Sequence, residues 1–217
     1  MEQSRPILIY RIVVLALGLC VGLHVILVNG RWDEPGGPLR YLTIWALIAS
    51  MVVAYRVLLI SLGRSDRRFD GLVSATAVVN AMVVFLYWKL YFEDPMSVTR
   101  EGELQIWWRE YYLHGAGAAL MWIDAFFINR VFRKPVAALV WLMGIVVGFL
   151  TFSELFTARF NDVPVGSVTS GLPYRFLNNL DFGGRLEFYA TNVVVALVVL
   201  VVFTILAWLM RRLFGWR

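Results

Sequence analysis

The chain has a single cysteine, Cys20, among 217 residues, so neither an intrachain disulfide nor a cysteine-built metal cluster can form. Histidine is nearly as scarce. His24 and His114 are the only two, and any chemistry that needs a proton carrier near neutral pH falls to one of them. Charge is also thin: 16% of residues are charged, against about a quarter in soluble domains. Apolar residues fill the space, at 60% of the chain, with a mean hydropathy of +0.70. These shortages exclude a disordered chain, a nucleic-acid-binding module and an ordinary cytosolic enzyme. The net charge of +5 reflects membrane topology in a chain this apolar, and no nucleic-acid partner is expected.

The apolar residues fall into six runs, at about 7–28, 39–62, 71–92, 107–128, 136–156 and 188–210, each near the roughly 20 residues that a spanning helix requires. The first run is too long for the core of a signal peptide and lacks a small-x-small cleavage site, so it is read as a retained span. Backbone in lipid must satisfy its own hydrogen bonds, which predicts a single all-α, six-helix transmembrane bundle over residues 1–217. Arg64, Arg67 and Arg68, then Arg130, Arg133 and Lys134, then Arg211, Arg212 and Arg217 all fall on one side of such a bundle. The other side carries Asp33, Glu34, Glu93, Asp94, Glu101, Glu103, Glu110 and Asp162. The positive-inside rule then predicts that both termini are cytoplasmic. Gly36-Gly37 and Gly183-Gly184 read as turns just before spans.

Polar residues inside spans are costly and mark candidate sites. Thr43 lies about four residues and His114 about six residues inside their spans, which at about 1.5 Å per residue puts both roughly 6–9 Å below the outer boundary. His24, Asn192, Ser153 and Glu154 fall near the same depth on other helices. Each has a plainer reading: a threonine bonded to its own helix backbone, a histidine joining two helices, a glutamate reaching the headgroups. Asp124 lies ten residues beyond His114 and cannot orient it directly; Arg56 sits near the same inner depth. An intramembrane ion pair of Asp124 with Arg56 is therefore expected, with Arg11 as the other candidate partner.

Three stretches resemble the androgen-induced and androgen-dependent TFPI-regulating membrane protein family. The segment Gly36-Gly37-Pro38-Leu39-Arg40-Tyr41-Leu42-Thr43 is similar to its Gly-Gly turn leading into an aromatic-Leu-Thr triplet. His114 followed by Asp124 is similar to its histidine with an acidic residue ten positions on. Gly171–Leu177 resembles the Pro-Tyr-x-Phe-Leu stretch of bacterial six-pass relatives, and the matches run from about residue 30 to 210. The chain departs from the pattern in the apolar Trp45-Ala46-Leu47-Ile48 and in lacking a proline near the start of the fourth span. The resemblance implies a multi-pass protein of a bacterial inner membrane. It further implies a threonine hydrolase of fatty acid esters of hydroxy fatty acids, with Thr43 as nucleophile and His114 as base.

On this reading a lipid ester enters from the bilayer, no metal or other cofactor is called for, and the oligomeric state stays open. Asn192 and Tyr174 are candidate oxyanion donors and Glu154 a candidate orienter of the imidazole. The acyl chain is expected to lie in a tunnel lined by the second, fourth and sixth spans. The connection between Thr157 and Arg185, which holds Pro164, Gly166 and Pro173, is long enough to be functional. Its part 171–177 is expected to fold over the polar layer as a lid. Two other readings are carried: a non-enzymatic lipid-binding or transport protein, and a haem protein ligated by His24 and His114.

Overall fold

The computed structural model describes residues 4–28, 30, 32–99, 102–104, 106–161 and 171–215; Glu101, Asp162, Pro164, Gly166 and Arg217 lie outside them. In chain order the helices are α1 (Arg5–Leu27), α2 (Leu42–Ser61), α3 (Asp70–Glu93), α4 (Trp107–Tyr111), α5 (Gly117–Ile123), α6 (Pro135–Leu155), α7 (Arg175–Asn178) and α8 (Phe182–Leu213). No strand occurs among the described residues. Among the described residues five helical stretches are long and apolar enough to cross a membrane: α1, α2, α3, α6 with the short turn that follows it, and α8. The chain is a helical, multi-pass membrane protein.

The remaining run, 107–128, is helical throughout but is not one α-helix. α4 and α5 are joined by a π-helical turn at Tyr112–Ala116, and a second π-helical turn, Asp124–Ile128, follows α5. The first falls in the His114-Gly115-Ala116-Gly117 stretch, where two glycines favour the α-helix weakly. α8 starts earlier than the apolar run because the Asp181 carboxylate caps it, accepting the Gly184 N–H at 2.7 Å. Gly183-Gly184 is therefore the first turn of a helix and not a loop before it.

α3 lies at the centre. Two thirds of its apolar window is buried, against a third or less for the other long helices. Its first half is built from small residues, including Ser74, Ala75, Thr76 and Ala77, all fully buried. Such residues let helices approach closely in lipid, where van der Waals contact replaces the hydrophobic drive. The approach is tightest at Gly71, where an added Cβ would lie 2.8 Å from the Ala137 backbone of α6. Large apolar residues such as Leu23 on α1, Val140 on α6 and Val198 on α8 face outward, as a lipid-exposed surface requires.

The basic segments gather at one end of the bundle. Arg68 donates to the Asn129 carbonyl, Arg211 to the Val131 carbonyl, and the backbone N–H groups of Arg133 and Lys134 donate to the Asp70 carboxylate. Nearby, Arg11 and Asp124 form a bidentate pair at 2.8 and 3.1 Å, with 1% and 4% of each residue exposed. Arg11 also donates to the Val57 carbonyl and the Ser61 hydroxyl, tying α1 to α2. The expected partner Arg56 is elsewhere: its guanidinium lies 4.1 Å over the Phe69 ring. Depth along a helix fixes one coordinate, and rotation about the axis turned Arg11 rather than Arg56 towards Asp124.

Candidate active site

Thr43 stands in the first turn of α2. Gly36 and Gly37 adopt φ of +78° and +49°, a left-handed turn that side chains resist. A tight turn at Gly37–Arg40 follows, and the indole of Trp45 fastens it by donating to the Leu39 carbonyl at 2.8 Å. Thr43 therefore sits where the helix begins, beside a cavity instead of within a packed wall.

His114 is held from four directions. The π-helical turn gives it φ −115° and ψ 23°, outside helical values, and the Trp88 indole donates to its displaced carbonyl at 2.7 Å. Such turns recur at functional sites because they redirect one side chain without ending the helix. The Tyr87 ring stacks on the imidazole with centroids 3.4 Å apart. Nδ1 lies 3.1 Å from the Glu110 carbonyl and 3.3 Å from a Glu110 carboxylate oxygen. With Nδ1 donating there, Nε2 is left as an acceptor. It faces the Thr43 hydroxyl at 3.4 Å, and His114 is only 5% exposed.

Glu110 is the residue that sequence reasoning missed as a site member. Its carboxylate accepts from the Tyr87 hydroxyl at 3.1 Å and from Arg109 at 2.7 and 3.1 Å, besides facing the imidazole. The available signal was its i, i+4 spacing from His114, which puts both on one helix face. Glu154, expected in this role, is engaged elsewhere. It accepts from Arg185 at 3.0 and 3.1 Å and from the Tyr189 hydroxyl at 2.7 Å, joining α6 to α8.

Thr43 and His114 open onto a cavity of about 430 Å³, which Asn192 and Tyr174 also line. Asn192 gives one amide N–H to the Phe188 carbonyl at 2.8 Å. Burial pushes the Tyr174 phenol above its ordinary pKa, so it stays a hydroxyl. The apolar wall comes chiefly from α3, α6 and α8, with Val79, Val83, Leu142, Val146 and Ala196 among its residues. The expected lining by the second and fourth spans is limited to the turns around Thr43 and His114, because α3 occupies the centre of the bundle. His24 is not among the lining residues; its ring lies 5.0 Å from that of Trp108.

Leu172–Leu177 covers one side of the cavity. The Asn178 side chain, fully buried, pins this segment by accepting the Leu172 N–H at 2.8 Å and donating to the Leu172 carbonyl at 2.7 Å. Arg185 donates to the Leu180 carbonyl, fastening the segment's far end to α8. No group of three or more histidine, cysteine or carboxylate side chains placed to hold a metal occurs among the described residues.

No curated protein and no solved structure matches this chain. The sequence model for FAR-17a/AIG1-like protein matches residues 8–209, which include both ends of the Thr43–His114 contact and the whole cavity wall. The chain therefore belongs to the FAR-17a/AIG1-like family, the one its Gly-Gly-turn, histidine and Pro-Tyr segments resemble.

Proposed function

We propose that this protein is an intramembrane hydrolase of lipid esters, with Thr43 as nucleophile and His114 as general base. The observation that carries the reading is the 3.4 Å approach of the Thr43 hydroxyl to His114 Nε2 at the head of an apolar cavity. A threonine is inert unless a neighbouring base takes its proton, and catalytic hydrogen bonds are often long until substrate binds. In the proposed cycle Thr43 Oγ1 attacks the ester carbonyl carbon while its proton passes to His114 Nε2. The tetrahedral adduct collapses, and the leaving alcohol takes that proton. Water then attacks the acyl-threonine, with His114 again the base, and the fatty acid leaves. Glu110 accepts from Nδ1 and favours the imidazolium formed in each half. Asn192 and Tyr174 are the donors on the cavity wall assigned to the developing oxyanion. Fatty acid esters of hydroxy fatty acids are the substrates that the family resemblance implies.

The same reading has six crossings with both termini cytoplasmic, in a bacterial inner membrane. The broken segment 107–128 is about 33 Å long at 1.5 Å per residue, enough for the sixth crossing. Gathering the three basic segments at one end supports the orientation.

The test is hydrolysis of a long-chain p-nitrophenyl ester by purified wild type, Thr43→Ala and His114→Ala. A wild-type rate above background, falling about 10²-fold or more in each variant, is expected. Rates that are equal in all three would refute the assignment.

A further inference from the structure

Two buried polar atoms on the wall of this cavity have no partner. The Ser153 hydroxyl and the Arg40 Nε–H make no hydrogen bond among the described residues, although Ser153 is 2% and Arg40 3% exposed. Buried donors are normally satisfied, so each orphan calls for an explanation. Serine inside a helix ordinarily bonds back to the carbonyl four residues earlier. Thr157 does so to Ser153 and Thr204 to Leu200, but Ser153 does not.

The two orphans belong to one neighbourhood. A Cβ added at Gly36 would meet Thr157, Phe152 and the Arg40 Cβ at 2.7, 3.1 and 3.3 Å, and the Thr157 hydroxyl donates to the Ser153 backbone carbonyl. Glu34 takes Nη1 of Arg40 at 2.8 Å and leaves Nε uncommitted. Arg175, on the covering segment, lines the same cavity and has no hydrogen bond or ion pair among the described residues. All three groups are donors, and two are cations. Glu34 meets Arg40 at Nη1 only, so Nε, the Ser153 hydroxyl and Arg175 remain donors without an acceptor among the described residues.

We propose that Arg40, Ser153 and Arg175 form a subsite for an anionic oxygen group, a carboxylate or a phosphate, on the lipid that occupies the cavity. The inference rests on the ester-hydrolase reading for what happens next to that lipid. Arg40 precedes Thr43 by three residues, so their Cα atoms are at most about 11 Å apart. The anionic group is thereby held at the Thr43 end of the cavity. A guanidinium suits either anion, and the serine hydroxyl adds a third donor.

Binding to the full-length protein in nanodiscs tests this without requiring turnover. The probes are palmitate, hexadecyl phosphate and methyl palmitate, against wild type, Arg40→Gln, Arg40→Lys and Ser153→Ala. At least one anionic probe should bind wild type about tenfold or more tighter than methyl palmitate, as a charged hydrogen bond supplies. The better anion identifies the source: a free carboxylate, or the phosphate of a phospholipid. That preference should collapse in Arg40→Gln and shrink in Ser153→Ala. If Arg40→Gln does not fold, Arg40→Lys and Ser153→Ala carry the test. Equal binding of all three probes to wild type, or a preference that survives in every folded variant, would overturn the subsite. Intact anion preference in a wild type that hydrolyses no ester would instead refute the hydrolase reading alone.

Discussion

At the residue scale, the chemistry turns on which carboxylate faces the imidazole. Glu110, not Glu154, touches the imidazole. Glu110→Gln should lower kcat about a hundredfold while KM changes little, because the amide cannot stabilise the imidazolium. Glu154→Gln should leave kcat near wild type and loosen the covering segment, read as faster protease cleavage near Leu180. The reverse pattern would restore the original expectation. Asp124 supplies the contrast of a buried pair with no place in the chemistry. Asp124→Asn should cost about 3–5 kcal/mol of stability in detergent by stranding Arg11, whereas Arg56→Gln should cost no more than about 1 kcal/mol, the value of a ring contact. The proximity of Thr43 and His114 was legible in the sequence because depth and resemblance agreed on it. Glu110 was not, because in Trp107-Trp108-Arg109-Glu110-Tyr111-Tyr112 it reads as one more interfacial residue. The partner of Asp124 was misread because helices apolar on every side give no rotational signal.

At the element scale, the broken helix is the feature that the apolar run concealed. Hydrophobicity counts residues and does not register a π-helical turn, so 107–128 reads as one plain span. His114 leaves the regular helical path in this turn and faces Thr43, while its i, i+4 neighbour Glu110 stays beside the imidazole. Deleting Gly115, whose Cα has open space beside it, should let the segment close into an ordinary α-helix. The protein should still insert and migrate as a monodisperse species, with activity lost because His114 returns to the regular helical path and no longer faces Thr43. Retained activity would show that the turn is incidental. The α3–α6 contact makes a separate prediction. Gly71→Leu should destabilise the bundle by about 1–3 kcal/mol or more, since even a Cβ meets Ala137 at 2.8 Å. An unchanged melting temperature would contradict the packing described. The centrality of α3 was only partly legible: its Ala, Ser, Thr and Gly content marks a helix interface, but nothing in the sequence ranks the spans by burial.

At the scale of the whole molecule, five long apolar helices and one broken one make up the described bundle, with the cavity at the Thr43 and His114 end and the basic segments that carry Arg68, Lys134 and Arg211 at the other. Cysteine mapping checks the orientation directly. In a Cys20→Ala background, Ser97→Cys should react with a membrane-impermeant maleimide on intact cells, and Ser65→Cys only after permeabilisation. Labelling in the opposite sense would invert the bundle and put the cavity on the cytoplasmic side. Overall helical architecture and family were legible because lipid leaves a backbone few options and because the matching motifs fall in order along the chain. The cavity wall was not, since it depends on which helix occupies the centre.

The central claim is that Thr43 carries the acyl group. Mass spectrometry of the wild type quenched in acid during turnover of a long-chain p-nitrophenyl ester tests it most directly. The account predicts an acyl adduct on Thr43, present in wild type, enriched when deacylation is slowed, and absent from His114→Ala. An active wild type with no adduct on Thr43, or an adduct on another residue, would contradict it.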